Sequence, residues 1–153
     1  MEPISDTSSV SLEPQHLAAL RWFDANRGRR LSWPEVLPGG LLLATRAKGI
    51  YKPKWTQYAL SVRAVLDGPY EDGQVRVRAD GTWALDYCQE GHGEQARRRY
   101  VNKALALCAR DRVPVGVLLQ LGAAEYLVQG LAVVRDWIGE VFLLEEWRAL
   151  PRS

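Results

Sequence analysis

Apolar residues near the N-terminus recur at helical spacing. Leu17, Leu20 and Phe23 lie three residues apart along the chain. Pro14 suits the first turn of a helix, because the N–H that proline lacks would have no partner there. The pattern therefore predicts a helix over residues 14–26.

Short apolar runs alternate with clusters of glycine, proline, aspartate and serine, a pattern typical of strands separated by turns. Ala79-Asp80-Gly81 is the strongest turn signal, because Asp-Gly favours the backbone of a tight hairpin. Further turns are expected at 32–34, 38–40 and 68–73. The predicted strands cover 41–46, 58–66, 75–78, 82–87, 115–121, 126–136 and 140–144.

A second helix is predicted over 94–110, which holds no glycine or proline and places Val101, Leu105 and Cys108 on one face. It is expected to end before Val113, because a residue that precedes proline disfavours helical backbone. Strands, one helix and further strands follow one another without βαβ alternation. This order predicts an α+β fold, a curled β-sheet or small β-barrel with flanking helices.

Length and composition limit the class of protein. The 153 residues, 47% of them hydrophobic, suffice for one domain with one core, expected over 13–150 after a disordered, serine-rich tail at 1–12. No apolar run is long enough to span a bilayer, so no membrane partner is expected. The polar N-terminus lacks the apolar segment of a signal peptide, and two cysteines form no disulfide framework. These features predict a cytoplasmic protein.

Charge is distributed unevenly along the chain. Residues 27–112 hold 16 lysines and arginines against 9 aspartates and glutamates, whereas the two ends hold 4 against 9. The excess of positive charge in the middle favours a polyanionic partner, although a mixed solvated surface with chance clustering is the alternative.

The sequence holds little catalytic chemistry. His16 lies on the first predicted helix, where it is expected to be exposed, far along the chain from His92. Neither Cys88 nor Cys108 has metal-ligand spacing with His92, so zinc and other cofactors are not expected. A nucleophile–base pair of Cys88 and His92 stays open, although a cysteine at a strand end is more often packing. The chain is expected to bind and not to catalyse.

Six segments stand in a fixed order along the chain. They are Gly-Ile-Tyr-Lys-Pro at 49–53, the run 58–72, the run 85–91, Asn-Lys-Ala-Leu-Ala-Leu at 102–107, Val-Pro-Val-Gly-Val at 113–117 and the run 126–144. In this order they resemble the SRA (SET- and RING-associated) family over residues 41–145. The segment at 102–107 is the most specific, since the family has Asn-Arg-Ala-Leu-Ala-Leu there.

The resemblance implies an SRA/PUA-like fold and a reader of modified cytosine in double-stranded DNA. The spacing and the first helix are most similar to the prokaryotic branch, in which an SRA-like domain precedes an HNH nuclease in modification-dependent, type IV-like restriction endonucleases. This chain would then be a non-catalytic targeting domain, covalently linked to a nuclease in its parent protein. A bacterial cytoplasmic location, nucleoid-associated when bound, follows from the same resemblance.

A flipped base needs flat side chains on which to stack and hydrogen bonds to its Watson–Crick edge. The resemblance places Tyr70 and Tyr87 at the two ring positions of the family's pocket. A carboxylate is the natural acceptor for the exocyclic amino group of cytosine. Asp72 is the first choice, and Asp86 is the substitute, although strand alternation turns Asp86 away from the face of Tyr87.

The loop after Gly49 is expected to reach the DNA, with lysines on phosphates and Trp55, or Gln57 beside it, filling the gap left by the flipped base. The alternative is that Trp55 covers the mouth of the barrel while the lysines snorkel. Asn102 is expected to bond a loop near the pocket. The residues expected at the backbone or groove of DNA are Arg46, Lys48, Tyr51, Lys52, Lys54, Trp55, Gln57, Arg97, Arg98, Arg99 and Asn102.

The sequence thus favours a reader of 5-methylcytosine or 5-hydroxymethylcytosine that flips the base into an aromatic pocket. Two alternatives stay open: a PUA-like reader of modified RNA or of N6-methyladenine in DNA, and a module that binds another protein through its exposed rings. Whether the protein forms a homodimer is also left open.

Overall fold

The computed structural model describes residues 11–65 and 75–147. In chain order the elements are helix α1 (Pro14–Ala25), strands β1 (Arg30–Leu31), β2 (Ile50–Tyr51), β3 (Ser61–Val65), β4 (Arg76–Val77) and β5 (Trp83–Cys88), a 3-10 helix (Glu94–Arg98), helix α2 (Tyr100–Asp111), and strands β6 (Val115–Gly122), β7 (Glu125–Ile138) and β8 (Val141–Glu146). None of the helices in these ranges is long and apolar enough to cross a membrane.

The strands form one mixed sheet in the order β2-β3-β6-β7-β8-β5-β4, with β1 paired to the start of β7. Strands β3 and β6 run parallel, and the other pairs are antiparallel. Because the described strands leave β2 and β4 at the two ends of this order, the sheet is open. The predicted α+β class is confirmed, and of the two predicted architectures the described residues form a sheet and not a closed barrel.

The two helices build separate apolar clusters with the sheet. On α2, Val101, Leu105 and Cys108 pack with the side chains of β3, β5, β6 and β8. On α1, Leu20 and Phe23 pack with Leu118 of β6 and with β7. The ring of Phe23 occupies the space that a side chain at position 116 would fill, so Gly116 lets α1 lie close to the sheet.

Most predicted elements are present. The helix predicted over 14–26 is α1, the Asp-Gly hairpin joins β4 to β5, and the last three predicted strands are β6, β7 and β8. Strand β1 was not predicted, because two residues carry no periodicity. The predicted turn at 68–73 and most of the predicted tail lie outside the described residues, whereas Leu12 packs against both apolar clusters.

The strand predicted over 41–46 is wrong. Leu41 forms one isolated bridge with Leu37, and the rest of the segment is irregular although Leu43 and Ala44 are buried. A side chain binds this backbone in place of a strand, since the Ser61 hydroxyl donates to the Leu43 carbonyl at 2.8 Å. The apolar run therefore indicates that this segment is buried, and it does not indicate that the segment pairs as a strand.

The helix predicted over 94–110 is two elements. The 3-10 helix ends at Arg99, whose backbone is extended (φ −66°, ψ 133°), and α2 then begins at Tyr100. At its other end Arg112 adopts the left-handed conformation (φ 57°) before Val113-Pro114, so the predicted stop is confirmed. The break at Arg99 turns the chain toward the candidate site described below.

The prediction that His16 is exposed is wrong. The side chain is 1% exposed, edge-on to the Trp55 ring at 5.7 Å and tilted against Tyr58. Its Nε2 has no hydrogen-bond partner among the residues described. Burial lowers the pKa of His16 from 6.5 to about 4, because the charged imidazolium loses its hydration there.

We expect the free energy of unfolding to fall as the pH drops from about 6.5 to about 4, because unfolded His16 takes up a proton that the folded state excludes. Urea unfolding across this window measures the effect, and His16→Gln should flatten it. His92→Gln is the matched control, because the His92 side chain is 85% exposed. An equal flattening by both variants would contradict the assignment to His16.

Candidate nucleic-acid interface

A cavity of about 550 Å³ opens where the C-terminal ends of β3 and β5 lie near the start of β8. We call it the Tyr87 cavity. It lies beside the end of β3 that leads into residues 66–74, which fall outside the described ranges. Its lining residues are Gly49, Arg63, Val65, Tyr87, Cys88, Gln89, Glu90, Gly91, His92, Glu140 and Val141.

Tyr87 forms a rigid wall of this cavity. It lies within β5, pairs with Phe142 of β8 and is 4% exposed, so the sheet fixes its position. Its hydroxyl lies over Gly49 and donates to the Arg63 carbonyl at 3.5 Å, a long hydrogen bond. A Cβ on Gly49 would overlap that hydroxyl, so this approach requires glycine.

Glu90 lines the same cavity and is held from both sides. Its Oε1 accepts a hydrogen bond from the Gly49 N–H at 3.3 Å. Its backbone N–H donates to Asn102 Oδ1 at 3.0 Å, and its carbonyl accepts from Asn102 Nδ2 at 2.8 Å. Asn102 is fully buried and also donates to the Ala96 carbonyl at 2.7 Å. This is the loop-bonding contact expected of Asn102 from the sequence, whereas its predicted place at the DNA surface is wrong because the side chain is buried.

Arg63 ties the loop before β2 to the sheet. Its Nη1 donates to the Gln120 side chain at 2.9 Å, and its Nη2 donates to the carbonyls of Arg46 at 3.2 Å and Lys48 at 3.5 Å. The guanidinium therefore fixes the backbone that carries two of the predicted DNA-binding cations. The buried Nε has no hydrogen-bond partner in the part of the chain that the structure describes.

The rim of the Tyr87 cavity carries a second carboxylate. Glu140 Oε2 accepts from the Gly93 N–H at 2.8 Å, and Oε1 lies 3.6 Å from His92 Nδ1. The bond from the Gly93 N–H, with His92 contributing less, lowers the pKa of Glu140 below its ordinary value. The two partners fix this carboxylate at the edge of the cavity, where both side chains are exposed.

A second cavity, of about 730 Å³, is lined by Tyr51 and the residues that follow it, and we call it the Trp55 cavity. Trp55 is half-buried and lies edge-on to His16, while Lys52 Nζ donates to the Pro53 carbonyl at 3.0 Å. The predicted aromatic and basic segment therefore forms a wall. The lining residues are Gln15, Pro38, Gly39, Gly40, Leu41, Leu42, Tyr51, Lys52, Pro53, Lys54, Trp55 and Tyr100.

Several cations away from the cavities have carboxylate partners, as in the pairs Arg76–Asp86 and Arg78–Glu145, each at 2.9 Å. The cations on the segments that line the cavities contact aromatic rings or backbone carbonyls. Arg46 lies 4.0 Å over the Trp33 ring, Lys48 lies 5.6 Å from that of Tyr100, and Arg97 lies 4.4 Å from that of Trp137. Among described residues no ion pair involves Arg46, Lys48, Lys52, Lys54, Arg63, Arg97, Arg98 or Arg99.

The predicted base-binding residues are only partly brought together. Tyr87 lines its cavity, whereas Tyr70 and Asp72 lie outside the described residues. Asp86 does not line the cavity, so its predicted place in the pocket is corrected here. Strand alternation turns it to the other face of β5, where its carboxylate binds Arg76.

The predicted surface residues fall into two groups. Tyr51, Lys52, Lys54 and Trp55 share the Trp55 cavity, and Gln57 is exposed in the loop that follows. The exposed residues Arg97, Arg98 and Arg99 lie on or next to the 3-10 helix. Arg99 packs against Gly91, since a Cβ on that glycine would lie 2.8 Å from Arg99 Nε.

Of the residues weighed for catalysis, Cys108 lies apart from Cys88 and His92. Cys108 is buried on α2, and burial raises the pKa of its thiol to about 12. Cys88 and His92 both line the Tyr87 cavity, where His92 has Glu140 as its partner. In residues 11–65 and 75–147 no three His, Cys, Asp or Glu side chains are grouped so that they could hold a metal ion.

No family model matches the sequence, and no curated protein matches it. The solved structures that are similar to this chain include the following two. One is SUVH6 of Arabidopsis thaliana in complex with SAM, with 18% identity and a TM-score of 0.49 over 83% of this chain. The other is a SUVH5 SRA complex with hemi-methylated CG DNA, with 20% identity and a TM-score of 0.47 over 74% of this chain and 80% of that one.

This chain is similar in structure to an SRA domain. It spans 28% of the SUVH6 chain that it matches. At these identities and TM-scores, neither similarity by itself assigns a ligand to this chain. A ligand has to be inferred from the two cavities and from the cations beside them.

Glu90 and Gly49 were not singled out from the sequence. Both lie inside the segments that resemble the SRA family, but their contact joins residues 41 positions apart in the chain. The glycine that begins the Gly-Ile-Tyr-Lys-Pro segment was the only available signal for the close approach of Tyr87. Nothing in the local pattern around Glu90 pointed to the cavity.

Proposed function

We propose that this chain is a DNA-binding reader of a modified base, 5-methylcytosine or 5-hydroxymethylcytosine, and that the base flips into the Tyr87 cavity. The supporting observation is the position of this cavity among cations that have no carboxylate partner in the described residues. Cations without a carboxylate partner keep charge that phosphates can neutralise, and a cavity beside them can receive one base of the same strand.

The cavity has the properties that a flipped base requires. Its volume of about 550 Å³ lies in the range of small-molecule sites. Flipping costs a few kcal/mol of lost stacking and pairing, and stacking on an aromatic ring returns about 1–3 kcal/mol per base. Tyr87 offers a ring held by the sheet, and the polar groups of Arg63, Gln89 and Glu90 surround the space beside it.

The surface between the cavities is suited to the DNA backbone. Lys48 and Gly49 lie in the loop that Arg63 fixes, and Lys52 and Lys54 continue it along the Trp55 cavity. Phosphate contacts from such a surface would hold the duplex without reading its sequence. In this proposal the reading of the modified base belongs to the Tyr87 cavity alone.

We further propose that the chain is the targeting domain of a modification-dependent restriction endonuclease, with cleavage carried by a linked HNH domain. The support is the spacing of the sequence segments over 41–145 together with the first helix, which are most similar to the prokaryotic SRA-like branch. Sequencing the parent gene checks this proposal, and a complete reading frame that lacks a nuclease domain would contradict it.

Binding to four otherwise identical duplexes tests the reader function. They carry cytosine, 5-methylcytosine, 5-hydroxymethylcytosine or N6-methyladenine at one position, and fluorescence anisotropy at fixed salt measures each affinity. We expect 5-methylcytosine or 5-hydroxymethylcytosine to be preferred over cytosine. Preference for N6-methyladenine would favour a purine reader, and four equal affinities would contradict the proposal. Binding without a steep loss of affinity at rising salt would favour a protein partner.

Lys52→Ala and Lys54→Ala should each weaken binding to modified and unmodified duplexes alike. Each should also flatten the plot of log K against log salt by about one unit, the mark of one lost phosphate contact. Lys103→Ala is the matched control, because Lys103 is exposed on α2 and lines neither cavity. An unchanged slope with a loss confined to the modified duplex would show that these lysines read the base.

A further inference from the structure

We propose that Glu90 accepts the hydrogen bond from the exocyclic amino group of the flipped base and that Asn102 is its positioning residue. The inference rests on the proposed function and names the specificity-determining carboxylate of the same cavity. It replaces Asp86, whose carboxylate binds Arg76 on the other face of β5.

The carboxylate of Glu90 and the ring of Tyr87 meet at one residue. Glu90 Oε1 accepts from the N–H of Gly49, and the Tyr87 hydroxyl lies over the Cα of the same glycine. A base resting against Tyr87 would therefore have the carboxylate close to it. Glu90 Oε2 accepts no hydrogen bond from any residue that the structure describes, so this oxygen is available to a ligand.

Asn102 holds Glu90 in place before any DNA arrives. The buried amide bonds both the N–H and the carbonyl of Glu90, and its other Nδ2 hydrogen bond goes to the Ala96 carbonyl. Because Asn102 lies on α2, whose apolar face packs on the sheet, the backbone of Glu90 is held to the core, and the Gly49 N–H holds its carboxylate. A site held in this way loses little entropy when the base binds.

The chemistry of the acceptor determines which bases fit. Cytosine and its 5-modified forms carry an amino group, a hydrogen-bond donor, at the position where thymine carries a carbonyl oxygen. A carboxylate oxygen accepts from the amino group and repels the carbonyl. Glu90 would therefore exclude thymine, which differs from 5-methylcytosine by the replacement of that amino group. A base that leaves a polar group of the site without its hydrogen-bond partner binds much more weakly than a base that supplies the partner.

Glu90→Gln is the informative variant. The amide oxygen of glutamine can keep the hydrogen bond from Gly49, while its NH₂ group presents a donor where Oε2 was an acceptor. We expect affinity for the 5-methylcytosine duplex to fall about tenfold or more, with affinity for the unmodified duplex unchanged. Asp86→Asn is the matched control, since Asp86 lies on the same strand as Tyr87 but outside the cavity, and it should match wild type.

A second base analogue tests the individual hydrogen bond. A duplex carrying 5-methyl-2-pyrimidinone has the methyl group and the ring but not the exocyclic amino group. Wild type should bind this duplex more weakly than the 5-methylcytosine duplex. Glu90→Gln should bind the two duplexes with equal affinity, so the effects of the substitution and of the missing amino group are non-additive. The altered base pair affects both proteins equally and cancels in this cycle. The urea midpoint of Glu90→Gln checks that the fold is intact.

The outcomes separate the two levels of the proposal. Wild type that binds 5-methylcytosine and cytosine duplexes equally contradicts the reader function, and the role of Glu90 with it. A modification preference that Glu90→Gln leaves unchanged, or a loss that is equal on both duplexes, overturns the role of Glu90 alone. The same follows if Asp72→Asn, and not Glu90→Gln, shows the amino-dependent loss.

Discussion

Replacing Tyr87 by alanine is expected to weaken binding to 5-methylcytosine DNA by about 1–3 kcal/mol, or about 5- to 150-fold. Binding to the unmodified duplex should be nearly unchanged, because in this account only the flipped base contacts the ring. Titrations of both duplexes by fluorescence anisotropy under the same salt conditions measure the two affinities. Equal losses on both would place Tyr87 in the core or on a general DNA surface.

Tyr87 is also part of the core, so a control must separate stability from binding. Truncation of a buried aromatic residue costs about 3–5 kcal/mol of folding free energy, and Tyr87→Leu is the milder variant, since it keeps bulk but removes the flat ring. Leu85→Ala is matched to it, because Leu85 is buried two residues away on β5 and does not line the cavity. It should lose stability and keep the preference for the modified base.

Gly49→Ala is expected to destabilise the protein by about 1–3 kcal/mol, the usual cost of overpacking a tight contact. A Cβ at this position would overlap the Tyr87 hydroxyl and would lie 3.4 Å from the Arg63 carbonyl. Either the ring or the loop carrying Gly49 must therefore move, and both line the Tyr87 cavity. Urea unfolding measures the loss, and affinity for the modified duplex should fall with it.

The double variant Gly49→Ala/Tyr87→Phe should recover most of this stability. Removing the hydroxyl leaves the ring carbon Cζ as the nearest atom of the side chain, at 3.5 Å from the new Cβ, which is ordinary contact. Tyr87→Phe alone removes one long hydrogen bond and should cost little. If the double variant is no more stable than Gly49→Ala, the hydroxyl is not the obstacle.

Local periodicity was sufficient to predict α1, and apolar runs were sufficient to predict the last three strands, β6, β7 and β8. Leu17, Leu20 and Phe23 mark α1, and the Asp-Gly turn marks the hairpin between β4 and β5. The burial of His16 could have been predicted from the same spacing. It falls four residues before Leu20 and seven before Phe23, so all three share one face of the helix.

The apolar run at 41–46 shows the limit of this approach. Its composition is that of a strand, but its buried backbone is bound by the Ser61 hydroxyl and by no neighbouring strand. Composition indicated that the segment would be buried, and only the tertiary contact decides whether it pairs. The strand prediction failed for that reason.

The sequence could predict residues of the candidate site only where the residue type by itself suggests a binding role. The resemblance to the SRA family pointed to Tyr87, and the lysines at 52 and 54 were proposed because rings and positive charge stand together in the sequence. Glu90 acquires its proposed role from Gly49 and Asn102, which are 41 and 12 positions away. Such a contact becomes apparent only once β3, β5 and α2 are assembled.

The central claim is that the modified base leaves the duplex when the chain binds. The most direct measurement is the fluorescence of 2-aminopurine placed next to a single 5-methylcytosine, excited beyond the absorption of tryptophan. Its emission rises when the neighbouring base unstacks. The account predicts a rise on adding excess protein to this duplex, and none with cytosine in place of 5-methylcytosine. A saturated complex that prefers 5-methylcytosine and shows no rise would contradict it.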